Sequence, residues 1–435
     1  MTMINIKIFS ISFAYIIIAL ICFYGTGLSY YDFGYYLVKF NNLFSSPNIL
    51  FFGHFQPVQI LYSIFYKILG VSGIFIFNLF LLFSGLLILF KSYKNNDFLL
   101  IFILFPTIFI NFFINFSPEL IIIPITFLFF NLFYNNKYLY SFLVISSIIF
   151  IKEIYCFQLF FFGFLFLYKK KYIYFLILSL VSIISYYTLS NIIISDINNY
   201  IPTINNSVID IINFKAIFID LDKKLFFLLF NIWPLIFFLN KKKLIILLPI
   251  IPYFIFILFS ANTNYYSILS HYSLPIVAIL LIYIYESPIN PKYYKFFIFS
   301  FIVINLSIFS YYINRNVNIY LFNKSYFENN NAIDDYIFDH HSVTITNKIT
   351  YSSLYKRKFL FSFPNNIMGV NQYQNYFFNN RFYSDFVVID LNQTLFINDK
   401  IIKKNDFINS DYYEILTKNY SIIYKKNGFE IHEIN

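Results

Sequence analysis

The sequence predicts an α-helical polytopic membrane protein of about eleven transmembrane helices, followed by a small C-terminal extracytoplasmic α/β domain. Three observations carry that expectation. Of 435 residues, 59% are apolar and only 12% charged, where a soluble domain carries about a quarter charged residues. Apolar runs of membrane-crossing length recur throughout residues 1–312. The segments between those runs alternate between lysine-rich and lysine-poor.

A helix needs about 20 apolar residues to cross the hydrocarbon core, with shorter spans tolerated where the bilayer thins. By that ruler spans fall near 8–27, 71–90, 98–115, 118–134, 138–152, 154–168, 172–194, 225–240, 244–260, 272–286 and 294–312. The first run follows Lys7 and has no small-residue cleavage site before Tyr30, so it reads as a retained span rather than a signal peptide. Positive charge stays on the cytoplasmic side. With the N-terminus inside, the inner segments sum to +10 and the outer ones to −1. The tail, 313–435, then lies outside.

Two outer segments are long. Residues 28–70 hold two stretches with i, i+3, i+4 apolar spacing, Phe33/Tyr36/Leu37/Phe40/Phe44 and Val58/Leu61/Ile64/Phe65/Ile68. Such stretches suit helices lying in the interface plane, and Pro57 is a favoured opening residue for the second. Residues 195–223, rich in Asn and Asp, read as a surface loop. The tail changes character, with the β-type runs SVTIT (342–346), KFLFSF (358–363), DFVVID (385–390) and YSIIY (420–424) separated by polar, helix-compatible segments.

The formal charge of +10 needs no nucleic-acid partner, because the runs Lys169–Lys171 and Lys241–Lys243 act as topology anchors. The 63 Phe and 41 Tyr reflect a compositional bias of adenine/thymine-rich coding more than any binding site. Cys22 and Cys156 both lie in apolar runs, which leaves no disulfide framework or thiolate metal site. The chain has no phosphate-cradling glycine loop and no nucleophile elbow. His340–His341 beside Asp339 lacks further spaced ligands and reads as a solvated loop.

Ionisable residues beside a membrane are expensive and therefore informative. Asp32 in YYDFGYY, His54 in GHFQP, Glu119 in FSPE, the pair Lys152–Glu153 in IKEI and His271 in SHYSLP all fall at the outer interface of this topology. Each also has a local explanation. Asp32 and Glu119 suit helix starts, Lys152 and Glu153 a snorkelling turn pair, and the two histidines structural hydrogen bonds.

In that order, YDFG, GHFQP, FSPE, IKEI and the tail strand SDFVVID resemble the motifs of a bacterial and archaeal membrane-protein family catalogued as domain of unknown function 2079. Phe116–Ser117 stands where that family has Phe-His, and Ile154 where it has Asp. The family is in turn similar in architecture to the GT-C membrane glycosyltransferases, which carry an acidic residue after the first helix and a second in a following outer loop. The resemblance implies residence in the plasma (inner) membrane and transfer of a sugar from a polyprenyl-phosphate donor to a lipid, glycan or protein acceptor. It implies Asp32 as general base or as ligand of a divalent cation, with Glu119 as the second acidic residue. Lys152 and His54, or His271, would balance the charge developing on the leaving phosphate, and Glu119 and Glu153 would orient the acceptor or hold Lys152. The rival expectations are a transporter, whose charges would line a substrate path, and a non-catalytic membrane protein binding partners through its tail.

Overall fold

An apolar helix without a polar face must be enclosed by protein on every side or keep an apolar face outward, and this chain builds both kinds. The computed structural model describes residues 56–93, 101–113, 117–189, 217–237, 240–260, 273–287, 291–320, 324–346, 354, 359–363, 384–391, 395–397, 400–402 and 404–435, together with Tyr36, Phe40, Leu43 and Phe44. The helices are α1 (Gln59–Leu69), α2 (Val71–Tyr93), α3 (Pro106–Phe113), α4 (Ile122–Tyr134), α5 (Tyr138–Ser146), α6 (Tyr155–Tyr168), α7 (Tyr172–Tyr187), α8 (Leu221–Ile232), α9 (Ile251–Phe259), α10 (Leu274–Glu286) and α11 (Pro291–Tyr320). The predicted first span, 8–27, and most of the predicted loop 195–223 lie outside the described residues.

Helices α2–α11 overlap the predicted apolar runs and α1 falls on the second interfacial stretch of 28–70, but their bounds differ from the predicted spans and several are broken by 3₁₀ turns. Pro118–Ile121 leads into α4, Ser147–Phe150 extends α5, and Trp233–Phe237 follows α8. Lys241–Ile250, with Pro249 inside it, precedes α9 as a long 3₁₀ segment. Three of these segments hold a proline (Pro118, Pro234 and Pro249), which removes a backbone donor and disturbs the preceding turn, whereas Ser147–Phe150 holds none. Among the described residues one helix, Val71–Tyr93, is long and apolar enough to cross a membrane by length and composition, and seven other apolar helical units run to 10–17 residues.

Packing gives these helices different environments. In α10 every residue from Leu274 to Ile284 is buried, and α4 and the 241–250 segment pack against it. α7 touches α6 on one side and leaves Ile173, Leu176, Leu180, Ile183 and Tyr187 exposed on the other. Gly163 lets α6 approach α7 closely, since a Cβ there would meet the Phe175 ring at 3.1 Å.

The C-terminal part comprises α12 (Lys324–Tyr336), β1 (Ser342–Thr346), β2 (Phe359–Phe363), β3 (Phe386–Asp390), β4 (Leu395–Ile397), β5 (Lys400–Ile402), α13 (Lys404–Ile408), α14 (Asp411–Asn419), β6 (Tyr420–Lys426) and β7 (Phe429–Ile434). A five-stranded sheet has the order β2-β1-β3-β7-β6, with β1 parallel to β2 and β3, and β7 antiparallel to β3 and β6. β3 is buried along its whole length, as a strand covered on both faces must be. Val387, Ile389 and Leu391 join Phe407, Leu416 and Tyr420 in one apolar cluster, while Phe386 and Val388 belong to the cluster that includes Ile333 of α12 and Ile337 just after it.

Candidate functional site

The site forms where the chain turns between helices. Ser117 is extended, with φ −141° and ψ 120°, and its Oγ accepts the backbone N–H of Glu119 at 3.2 Å. Pro118 fits the first helical position because the N–H it lacks would have no partner there. This cap sets Glu119 at the head of α4. Lys152 and Glu153 lie in the turn between the 3₁₀ turn Ser147–Phe150 and α6. α4 and α6 run side by side in parallel, with Phe129 against Phe162 and Phe133 against Phe166. That register brings the heads of both helices level, and Lys152 Nζ donates to Glu119 Oε1 at 2.9 Å.

The pair is almost wholly shielded, with side-chain exposures of 2% for Lys152 and 1% for Glu119. Gln56 Nε2 donates to the same Glu119 oxygen at 3.2 Å, and Gln59 Nε2 donates to Gln56 Oε1. The Val58 N–H bonds the Phe150 carbonyl at 3.0 Å, which ties the start of α1 to the turn that carries Lys152. Above these groups Tyr62 donates to Asn78 Oδ1 at 2.7 Å and stacks on Phe40 with ring centroids 5.6 Å apart. Tyr36 and Glu153 both lie near enough to Lys152 to interact with its charge. Removing two ions from water costs several kcal/mol each, and one ion pair recovers that only with good geometry and further hydrogen bonds. Gln56 and the Ser117 cap are part of that support.

Of the six residues singled out from sequence, the structure brings Glu119, Lys152 and Glu153 together. Asp32, His54 and His271 lie outside the described residues. Sequence reasoning passed over Gln56, Gln59, Tyr36, Tyr62 and Asn78. Gln56 carried a usable signal, since it sits between His54 and Pro57 in GHFQP, a polar amide in apolar surroundings. Chemically, the arrangement offers a fixed buried cation beside two carboxylates, a setting in which an anionic group could be held or a developing charge neutralised. Among the described residues no group of three His, Cys, Asp or Glu side chains is placed to hold a metal.

A second polar cluster lies in the C-terminal sheet. Glu430 and His432 project from the same face of β7 and are both fully buried. His432 Nε2 lies 3.0 Å from Glu430 Oε2, and Tyr413 of α14 donates to that oxygen at 2.9 Å. Lys425, across on β6, pairs with Glu430 Oε1 at 2.7 Å while remaining 56% exposed. Burial works to raise the Glu430 carboxyl, but hydrogen bonds from His432, Lys425 and Tyr413 outweigh it and hold the group down at about 2.

No protein-family model, curated protein or solved structure matches the chain. Fold and site together define a mostly helical protein with a shielded ion pair at one end of its bundle and a small C-terminal sheet.

Proposed function

We propose that the chain crosses a membrane about eleven times, with its N-terminus cytoplasmic and residues 313–435 outside. In this reading it is a GT-C-like glycosyltransferase of the plasma (inner) membrane, moving a sugar from a polyprenyl-phosphate donor to a lipid, glycan or protein acceptor on the outer face. The observation that supports the reading is the buried Glu119–Lys152 pair, since ionisable groups shielded from water add little stability and are expensive beside a membrane unless they serve a function. The outward apolar face of α7 supports lipid contact. The 3₁₀ turns at helix ends also support it: they lengthen the 10–17-residue units at about 2 Å per residue, and bilayer thinning accommodates the rest.

Asp32 takes the acceptor hydroxyl proton as the acceptor oxygen bonds the sugar C1. The C1–O bond to the donor phosphate breaks, and the phosphate leaves with its electron pair toward Lys152, His54 and His271. Glu119 orients Lys152, and Glu153 orients the acceptor. The test uses purified full-length protein with a polyprenyl-phosphate sugar. Asp32→Asn and Lys152→Met are each expected to reduce transfer by about 100-fold or more, with folding checked by thermal melt. Retained transfer in either variant removes that residue from its role, and no transfer by wild type with any of several lipid-linked sugars overturns the reading.

One observation favours transport as a second reading. Gln158 lies about one turn inside α6, is fully buried, and has no hydrogen-bond partner for its amide among the described residues, as a residue facing a translocation path would. Solute flux in proteoliposomes distinguishes the two.

A further inference from the structure

The end of the bundle opposite the Glu119–Lys152 pair collects lysines from four separate stretches of sequence. α4 and α6 run from the ion pair to the turns 135–137 and 169–171, about 20 Å away at the helical rise. Asn136 and Lys170 adopt left-handed backbone, with φ of 59° and 57°, and close these two turns. Cross-contacts gather the turns at one end. Lys171 Nζ lies over the Tyr138 ring at 4.9 Å, Lys243 Nζ lies over Tyr134 at 5.4 Å, and Lys243 pairs with Glu286 at the end of α10 at 2.7 Å. Phe237 meets Tyr293 near the start of α11, which adds exposed Lys295 to the same end.

These lysines divide into two sorts. Lys171 lies over the Tyr138 ring of the neighbouring turn, and Lys243 lies over Tyr134 and pairs with Glu286, whereas Lys169 meets only the ring of its own neighbour Tyr168, at 6.0 Å. Lys137, Lys169 and Lys170 are exposed and pair with no acid among the described residues. Just inside this basic rim stand exposed Tyr140, Tyr168, Tyr172 and Ile173, with Leu139 beside them. Amphipathic rings below a ring of ammonium groups match the layering of a bilayer surface, apolar chains first and phosphates above.

We infer that this end is a docking surface for the phosphates of anionic phospholipid headgroups, with Lys137, Lys169 and Lys170 as the contacting cations. The inference rests on the membrane-spanning reading. Its charge complementarity is plain, since lysines near an anionic leaflet each gain about 1 kcal/mol.

The test uses the full chain in phosphatidylcholine nanodiscs, titrated with phosphatidylglycerol while lipid binding is followed by native mass spectrometry. Wild type is expected to favour phosphatidylglycerol over phosphatidylcholine by about tenfold or more. The variant K137Q/K169Q/K170Q should fall to within about twofold of no preference. A control with equal charge removed elsewhere, K223Q/K404Q/K418Q, should behave as wild type. Equal loss in the control, or competition by inorganic phosphate at the same concentration, overturns the inference. Extraction of native membranes with alkaline carbonate separates the two ideas: release of the chain defeats the spanning reading, whereas retention without lipid preference defeats only the headgroup surface.

Discussion

Glu119 and Glu430 are both buried carboxylates within ion-pair reach of a lysine, and they differ in where that lysine stands. Lys152 is as shielded as its partner, whereas Lys425 approaches Glu430 from a position 56% exposed. In the helical part both charges have therefore left water, and each depends on the other. In the sheet the ammonium group keeps its hydration, and much of the support for Glu430 comes from Tyr413 and His432, which bond the oxygen facing away from Lys425. A buried pair of the first kind is a poor way to gain stability, because apolar residues of similar size do as well. Under the proposed function the first pair serves chemistry; the second kind is accounted for by the architecture of the sheet.

Breaking the first pair should have the largest effect. Lys152→Met leaves the Glu119 charge buried without its cation and is expected to cost about 3–5 kcal/mol, read from the midpoint of thermal or detergent unfolding. The double variant Glu119→Leu/Lys152→Met should recover most of that loss while staying inactive. A single variant as stable as wild type would show that the pair is not isolated from solvent, and the contrast with Glu430 would collapse.

The two clusters were also unequally legible. Lys152 and Glu119 stand out because they interrupt apolar runs, and their shared position at helix heads follows from hydrophobic periodicity alone. Their pairing does not follow, since it depends on the parallel register of α4 and α6, set by rings such as Phe129 and Phe162 that look the same as any other Phe here. The strand runs at 342–346, 358–363, 385–390 and 420–424 coincide with β1, β2, β3 and β6. β7 was missed because FEIHEI reads as polar: Glu430 and His432 alternate with apolar residues as a solvent face would, yet α14 covers them. Nor does composition separate α10 from α7, one enclosed and the other facing outward, because both are apolar on all sides in sequence.

The sheet cluster should respond more mildly. Glu430→Gln keeps the shape but removes charge from the bonds made by Lys425, Tyr413 and His432, and is expected to cost about 1.5–3 kcal/mol. Hydrogen exchange at the β7 amides measures it. Acid should act in the same direction. Because the folded carboxyl is held at about 2 against an ordinary 4.5, its stabilisation is complete above about pH 4.5 and disappears as pH falls toward 2. In Glu430→Gln that part of the acid-unfolding profile should flatten. An unchanged profile would mean that the unfolded chain holds the carboxyl equally low.

The smallest effect is expected at Gln158, which tests whether the bundle interior is as dry as the surroundings of Glu119 imply. Its amide is fully buried with neither polar atom bonded among the described residues, and an unsatisfied buried polar group costs about 1–3 kcal/mol. Replacing it by Leu, of similar size, should therefore stabilise the protein by about 1 kcal/mol and leave sugar transfer unchanged. If the Leu variant is instead destabilised, the amide has a partner such as an ordered water, and the ion pair at the head of α6 sits above a hydrated interior. A loss of solute flux with transfer unchanged in the same variant would favour transport over a role for this side chain at the helix heads, about one turn above it.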